Sequence, residues 1–195
     1  MDRREFLESI AGLSALLPGL ALLPLRQPAF AAELHARAAA LPDLRTLSPE
    51  LDATLSSIAD ILLPQTDTVG ASAVGVNRFI DLLLTESLLE LDRDRFLEGL
   101  KAIDAHCEAS HGVPFGPAQR AQQEAVVRDL DGRLTGRAPT RAEAAALARK
   151  PMSAAHGYAV AKQLVLLAYF TSEPVARKLI NAPVIPGRYD GCVST

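Results

Sequence analysis

The sequence lacks the residue sets that hold redox cofactors and nucleotides. Its 195 residues include only two cysteines, too few for an iron–sulfur cluster, and it has no Cys-x-x-Cys-His motif for a covalent haem. It has neither a Gly-x-Gly-x-x-Gly turn after a strand nor a Gly-Lys-Ser loop for phosphate. We therefore expect no catalytic residue, no bound metal and no cofactor in this chain.

Histidine is also scarce, and its spacing does not favour a metal site. The two closest of the four histidines, His106 and His111, are five positions apart. A helix that holds one metal with two side chains uses positions i and i+4, and neighbouring carboxylate ligands are missing as well. We expect both histidines to be solvated side chains near the end of a helix.

The charge balance excludes one class of partner. The formal net charge is −3 at pH 7, and a weakly acidic protein has no cluster of Lys and Arg for the phosphates of nucleic acid. Three acidic residues, Glu90, Asp92 and Asp94, alternate with Arg93 and Arg95. This mixture is typical of a solvated helix start rather than of a pair of catalytic carboxylates.

The first residues have the pattern of an export signal. Arg3 and Arg4 precede Phe6 and Leu7, and an apolar stretch follows over residues 10–25. The Arg-Arg-x-Phe-Leu core resembles the twin-arginine export motif, with Asp in the position that Ser or Thr usually takes. The resemblance implies recognition by the twin-arginine translocase, which exports folded chains, and a destination in the periplasm.

The end of this leader predicts a processing site. Residues 29–31, Ala-Phe-Ala, form a small-x-small pattern, so we expect cleavage between Ala31 and Ala32 and a signal peptide over residues 1–31. The alternative is an uncleaved membrane anchor. Residues 10–25 are shorter than the ~20 residues of a spanning helix and contain Pro and Gly, which favours cleavage.

The rest of the chain predicts an all-α domain, an irregular bundle of six or seven helices. Residues 32–47 read as a linker with few contacts, residues 48–180 as the helical domain and residues 181–195 as an extended tail rich in Pro and Gly. The starts and stops of the helices predict spans near residues 48–63, 76–87, 90–111, 116–130, 140–150, 153–170 and 172–180. The run over residues 164–170 is apolar on every side, so it lies in the core or at an interface.

The two cysteines, Cys107 and Cys192, allow two interpretations. An oxidising compartment permits a disulfide between them, which would tie the tail to the third predicted helix. Alternatively, Cys107 is a small buried apolar residue on its helix stripe and Cys192 is exposed. We favour the disulfide, because an exposed unpaired thiol is reactive in that compartment.

Two C-terminal segments carry a family resemblance. They are Ala-Tyr-Phe-Thr-Ser-Glu at residues 168–173 and Pro-Gly-Arg-Tyr-Asp-Gly-Cys at residues 186–192. Together with the leader, the Leu-Ser-Pro-Glu helix start at residues 47–50 and the Ile-Leu-Leu-Pro segment at residues 61–64, they resemble the gluconate 2-dehydrogenase subunit 3 family. The resemblance covers most of the mature chain.

The resemblance implies a subunit that is not itself an enzyme. Members of the family are small, gamma-type subunits of FAD-dependent sugar and polyol dehydrogenases. Oxidation would fall to a large FAD-binding subunit of the glucose-methanol-choline class, and a multihaem cytochrome c partner would pass electrons onward through haem c. The small subunit would act in maturation, export and stability of the large subunit, and the substrate of the complex stays open.

The tail has the residue types of a docking segment. Proline limits the entropy lost on binding, while arginine and tyrosine are enriched among binding hot spots. We therefore predict partner docking at Pro186, Gly187, Arg188, Tyr189 and Asp190. Alternatively, the tyrosine covers the domain's own core and the arginine pairs with the neighbouring aspartate. A free-standing periplasmic small-molecule-binding protein or enzyme is the alternative function, and it would need convergent polar groups around a pocket.

Overall fold

The computed structural model describes residues 28–134, 146–147 and 150–180. Within these ranges the chain forms seven α-helices and no β-strand, which confirms the predicted all-α irregular bundle. In chain order the helices are α1 (Pro28–Ala40), α2 (Pro49–Leu62), α3 (Val76–Glu86), α4 (Glu90–His111), α5 (Arg120–Gly132), α6 (Ala154–Thr171) and α7 (Glu173–Val175). A 3₁₀ turn (Ser72–Val74) precedes α3, and a π-helical turn (Ala176–Ile180) follows α7.

Most helix ends follow the start and stop signals in the sequence. Ser48 caps α2 by accepting a hydrogen bond from the backbone N–H of Leu51, and Ser153 caps α6 by accepting one from His156. Helix α4 ends at Gly112, whose φ of 76° lies in the left-handed region that glycine adopts without strain. These three signals therefore fix the predicted boundaries.

The predicted start of the helix over residues 116–130 is wrong. Gly116 and Pro117 predict a helix start, but α5 begins at Arg120. The side-chain amide of Gln123 donates to the carbonyl oxygen of Phe115 at 2.9 Å and to that of Gly116 at 3.1 Å. A side chain therefore satisfies carbonyls that helical N–H groups would otherwise bind, and this segment stays a turn.

The segment expected to be a linker is packed instead. Helix α1 covers much of residues 32–47, and it buries Ala31, Leu34 and Ala38 at 2%, 3% and 3% exposure. Their spacing of three and four residues puts these small apolar side chains on one face. That face packs chiefly against α3 and also against α6, so the expectation of few contacts is corrected.

A buried carboxylate holds the connection between α1 and α2. Asp81 on α3 is 1% exposed and accepts hydrogen bonds from three consecutive backbone N–H groups, those of Arg45, Thr46 and Leu47, at 2.8–2.9 Å. An ionised carboxylate makes strong hydrogen bonds to backbone amides. Asp81 therefore fixes the path of the chain as it enters α2.

Helix α6 is the centre of the bundle. Leu164, Val165 and Ala168 are fully buried, and α6 packs against α2, α3, α4 and α5. This confirms the core interpretation of the apolar run, although Phe170 near its end is 42% exposed. No helix in the described ranges is long and apolar enough to span a lipid bilayer.

The start of α4 is less solvated than its charges suggested. Asp92 is 1% exposed and Arg95 is 8% exposed. The guanidinium of Arg95 donates to the carbonyl oxygens of Leu147 and Lys150 at 3.3 and 3.4 Å. Arg95 therefore helps to attach the segment before α6 to α4, and the burial of both residues corrects the expectation of a solvated helix start.

Several predicted elements lie outside the described ranges. They are the leader as far as residue 27, most of the predicted helix over residues 140–150, and the tail over residues 181–195. Within the predicted helix, Ala146 and Leu147 are helical. The other domain boundaries in these segments stay predictions.

Candidate functional site

The C-terminal end of α6 is where segments distant in sequence meet. The phenol of Tyr169 donates to the carbonyl oxygen of Val69 at 2.6 Å, and Nε2 of His35 lies 3.1 Å from Oγ1 of Thr171. The ammonium of Lys178 donates to the carbonyl oxygen of Asp67 at 2.6 Å. We call the surface formed by residues 65–69, 169–170 and 173–178 the α6-end surface.

The loop in this surface has a fixed shape. The side-chain carbonyl of Gln65 accepts a hydrogen bond from the backbone N–H of Gly70 at 2.8 Å, and the N–H of Ala71 donates to Leu63 at 3.0 Å. A Cβ atom on Gly70 would lie only 2.9 Å from the backbone nitrogen of Gln65. Only glycine fits at this position. The two hydrogen bonds close the loop that follows the Ile-Leu-Leu-Pro segment.

The exposed side chains of the α6-end surface are of mixed character. The ring of Phe170 is 42% exposed and makes an edge-to-face contact with Tyr169, with ring centroids 5.3 Å apart. On the following turn, Glu173 and Arg177 form an exposed ion pair at 2.6 Å. Aromatic residues and arginine are enriched at protein-binding surfaces, whereas glutamate is depleted there. The predicted docking tail begins just after this turn ends at Ile180.

A second depression lies between α2, α5 and α6. It is an open groove of about 300 Å³ with apolar side chains from α2 and α5 and polar ones from α5 and α6. The ammonium of Lys162 bonds Asp131 at 2.5 Å and lies 5.8 Å from the ring centroid of Tyr158. Burial, with Asp131 nearby, raises the pKa of Tyr158. That phenol is therefore held neutral, as a hydrogen-bond donor rather than a base.

The described residues contain no group of three side chains that could hold a metal ion. His106 bonds Asp129 at 2.9 Å, which links α4 to α5, and His111 is the last residue of α4. The hydrogen bonds from His106 and Arg133 lower the pKa of Asp129, with that of Arg133 the larger effect. His106 therefore links two helices and belongs to no group of three possible metal ligands among the described residues.

One family model matches residues 49–187, and its description is gluconate 2-dehydrogenase subunit 3. The chain belongs to the gluconate 2-dehydrogenase subunit 3 family. No curated protein and no solved structure matches it. The family resemblance found in the sequence is thereby confirmed.

The family match covers helices α2 to α7 and the α6-end surface. It begins at Pro49, the first residue of α2, and ends at Gly187, the second residue of the predicted docking motif. Helix α1 precedes the matched range, and the three motif residues Arg188, Tyr189 and Asp190 follow it. The helices from α2 onward are thus the part of this chain that the gluconate 2-dehydrogenase subunit 3 model describes.

Most of the predicted site residues lie outside the described ranges. These are the export motif Arg3, Arg4, Phe6 and Leu7, the docking residues Pro186, Gly187, Arg188, Tyr189 and Asp190, and Cys192. The cleavage residues Ala31 and Ala32 are within α1. The export and docking assignments therefore stay predictions for this member of the gluconate 2-dehydrogenase subunit 3 family.

Cys107 is fully buried on the core stripe of α4, and it forms no disulfide within the part of the chain that the structure describes. Burial, with Asp104 nearby, raises the pKa of this thiol. These properties agree with the interpretation of Cys107 as a small buried apolar residue. The disulfide with Cys192 stays a prediction, because that residue lies outside the described ranges.

Two polar contacts in the family domain were not foreseen from the sequence. Oδ1 of Asp104 accepts hydrogen bonds from Thr54 at 2.6 Å and from the backbone N–H of Phe115 at 3.2 Å, and burial raises its pKa. The second is the Asp81 carboxylate with its three backbone N–H donors at residues 45–47, which we call the Asp81 clamp. The available signal for Asp81 is a lone carboxylate within the apolar run Phe-Ile-Asp-Leu-Leu-Leu. A charge at such a position indicates a buried structural partner.

Proposed function

We propose that this chain is the non-catalytic small subunit of a periplasmic, membrane-associated, FAD-dependent dehydrogenase that oxidises a sugar or polyol. The observation that carries the proposal is family membership, because subunit 3 is by its name one part of a multisubunit gluconate dehydrogenase. In this proposal the flavin belongs to a large partner subunit and haem c to a cytochrome partner. This chain holds neither group.

The task of the chain in that complex is escort. Its leader resembles a twin-arginine signal, with Arg3 and Arg4 ahead of Phe6 and Leu7. A translocase for folded cargo can carry a large subunit that has already bound its flavin, provided that one member of the complex has the signal. The small subunit supplies that signal and stabilises the folded partner until it has crossed.

The large subunit docks on the α6-end surface and on the tail that follows it. The hydrogen bonds of Tyr169 and Lys178 fix this surface before binding, and a preorganised surface loses less conformational entropy in a complex. Phe170 provides an exposed aromatic anchor. The tail motif at residues 186–190 adds the arginine and tyrosine that are common at binding hot spots.

The escort role is tested by measuring sugar-dependent, flavin-linked dye reduction in the periplasm. The large subunit is expressed alone, with this chain, and with an Arg3→Lys, Arg4→Lys double variant that keeps the charge but not the arginine pair. We expect periplasmic activity only with the unchanged chain, at equal amounts of large subunit in whole cells. Equal periplasmic activity with the double variant, or without the chain, would contradict escort.

A further inference from the structure

Helix α1 contains the peptide bond at which the leader predicts processing. Ala31 and Ala32 both lie in this helix, and Ala31 is 2% exposed. Peptidases commonly bind a substrate as an added extended strand, which needs free backbone groups on either side of the bond. Susceptibility to cleavage follows from the burial and hydrogen bonding of that backbone. The Ala31–Ala32 bond lies within a helix and follows a buried alanine, so its backbone is not extended and only Ala32 is exposed.

Several contacts hold α1 on the bundle. Leu34 and Ala38 continue the buried face of Ala31. The ring of His35 lies 4.2 Å from that of Phe79 on α3, and its Nε2 reaches the hydroxyl of Thr171 on α6. These contacts hold the part of α1 just after the bond on α3 and α6.

Charged contacts reinforce this attachment on the solvent side. Glu86, the last residue of α3, forms ion pairs with Arg37 of α1 and with Arg45 beyond it. Arg78 donates to the carbonyl oxygens of Leu41 and Pro42, just after α1 ends. The helix is thus attached along its length and at its C-terminal end.

We propose that the folded domain shields the Ala31–Ala32 bond, so that the exported chain keeps its leader. This inference rests on the export step of the proposed function. Because the twin-arginine route carries folded cargo, α1 is docked before a peptidase on the far side meets the bond. The proposal replaces the cleavage that the sequence alone predicts.

Shielding is tested on the purified full-length chain in detergent micelles. The chain is incubated with a bacterial signal peptidase, and intact mass is followed over time. Leu34→Asp and Ala38→Asp each put a charge on the buried face of α1, whereas Ala36→Asp puts the same charge on its exposed face. We expect the unchanged chain and Ala36→Asp to stay intact, and at least one buried-face variant to lose residues 1–31 about tenfold faster or more.

The controls distinguish shielding from a bond that the peptidase does not recognise. Circular dichroism checks that the buried-face variants keep the rest of the bundle, and trypsin cleavage at Arg37 reports that α1 is released. Cleavage of the unchanged chain at the same rate as the variants overturns the proposal. So does resistance of variants in which α1 is released.

The exported protein gives a second, independent readout. Mass spectrometry of the chain recovered from the periplasmic side should find residues 2–31 still present, and an N-terminus at Ala32 would overturn retention. If no chain reaches that side, the export step of the proposed function fails. The peptidase assay on the purified chain still decides whether the fold shields the bond.

Discussion

Gly99 on α4 and Gly157 on α6 touch backbone to backbone. A Cβ atom on Gly157 would lie 2.5 Å from the carbonyl oxygen and 2.6 Å from the Cα atom of Gly99. No side chain can move aside to relieve this overlap, because the atoms it meets belong to the main chain. These are also the two helices that share the most extensive packing in the described bundle. Their close approach at this crossing therefore depends on both glycines.

Alanine at this crossing should destabilise the fold. Gly157→Ala should lower the free energy of unfolding by about 2 kcal/mol, because forced overpacking costs roughly 1–3 kcal/mol and outweighs the better helix propensity of alanine. Gly132→Ala is the matched control, since a Cβ atom on Gly132 meets nothing within 4 Å. It should be neutral or stabilising by up to about 1 kcal/mol. Urea unfolding of both variants measures the difference, and equal shifts would contradict the packing argument.

The Asp81 clamp should contribute strongly to stability. Asp81→Ala leaves three N–H groups without their acceptor, one of them on buried Leu47, and we expect a loss of about 3 kcal/mol. Asp94→Ala removes a carboxylate of 61% exposure and should change stability by less than about 0.5 kcal/mol. Chemical denaturation compares the two. A small effect of Asp81→Ala would show that the connection to α2 is held by other contacts.

The sequence predicted the elements whose signals are local. Ser48, Gly112 and Ser153 act within one helical turn, so the corresponding helix ends were found. The apolar run of α6 is also a local pattern, and it identified the core. Family membership could be predicted as well, because it depends on motifs that are continuous in the chain.

The errors come from side-chain contacts that the start and stop signals of helices do not reveal. Residues 45–47 are held by Asp81, which is 34–36 positions away, and α1 is held by residues as distant as Thr171. The turn before α5 depends on the Gln123 side chain reaching back to Phe115 and Gly116. The α6-end surface is likewise assembled from loop 65–69 and residues about a hundred positions later. Such contacts leave no periodic pattern in the sequence.

Stability should depend on pH through His35. Burial lowers the pKa of His35 below its ordinary value of 6.5, so the folded state binds the proton more weakly than the unfolded chain. The contribution of the neutral His35 ring to stability is complete above pH 6.5. It is lost as pH falls toward the lower pKa of the folded state. Burial also lowers the pKa of His156, so its protonation favours the unfolded chain in the same way. The unfolding free energy should therefore fall between about pH 7.5 and about pH 5.5.

His35→Gln isolates this contribution. The variant should show a smaller fall in unfolding free energy over the same pH range, because it has no group to protonate at that position. Urea titrations at both pH values measure the slope for each protein. An identical slope in the variant would mean that protonation of His35 does not oppose the packing of its ring on Phe79.

The exposed ring of Phe170 should matter for the partner more than for the fold. Phe170→Ser should reduce recovery of the large subunit in co-purification about tenfold, in line with the ~1.4 kcal/mol or more that a hot-spot residue contributes. Leu89→Ser is the matched control. Leu89 is 59% exposed and precedes α4, whose first turns lie beside the start of α6 rather than its end. Equal recovery with both variants would move the docking site away from the α6-end surface.

The tail should act together with that surface. Replacing Arg188 and Tyr189 with Ala should weaken co-purification of the large subunit, because the two side chains supply hot-spot contacts. The free energy of unfolding of the isolated small subunit should stay within about 0.5 kcal/mol of that of the unchanged chain. A large loss of stability with unchanged recovery would instead support the alternative, in which the tyrosine covers the domain's own core.

The most direct test of the whole account compares the purified chain, alone and with its large partner. Flavin absorbance and sugar-dependent dye reduction are measured on each sample at equal protein concentration. We predict that the chain alone has neither, and that both appear when the large subunit is present. A stoichiometric flavin, or turnover of a sugar, in the chain alone would contradict the escort role.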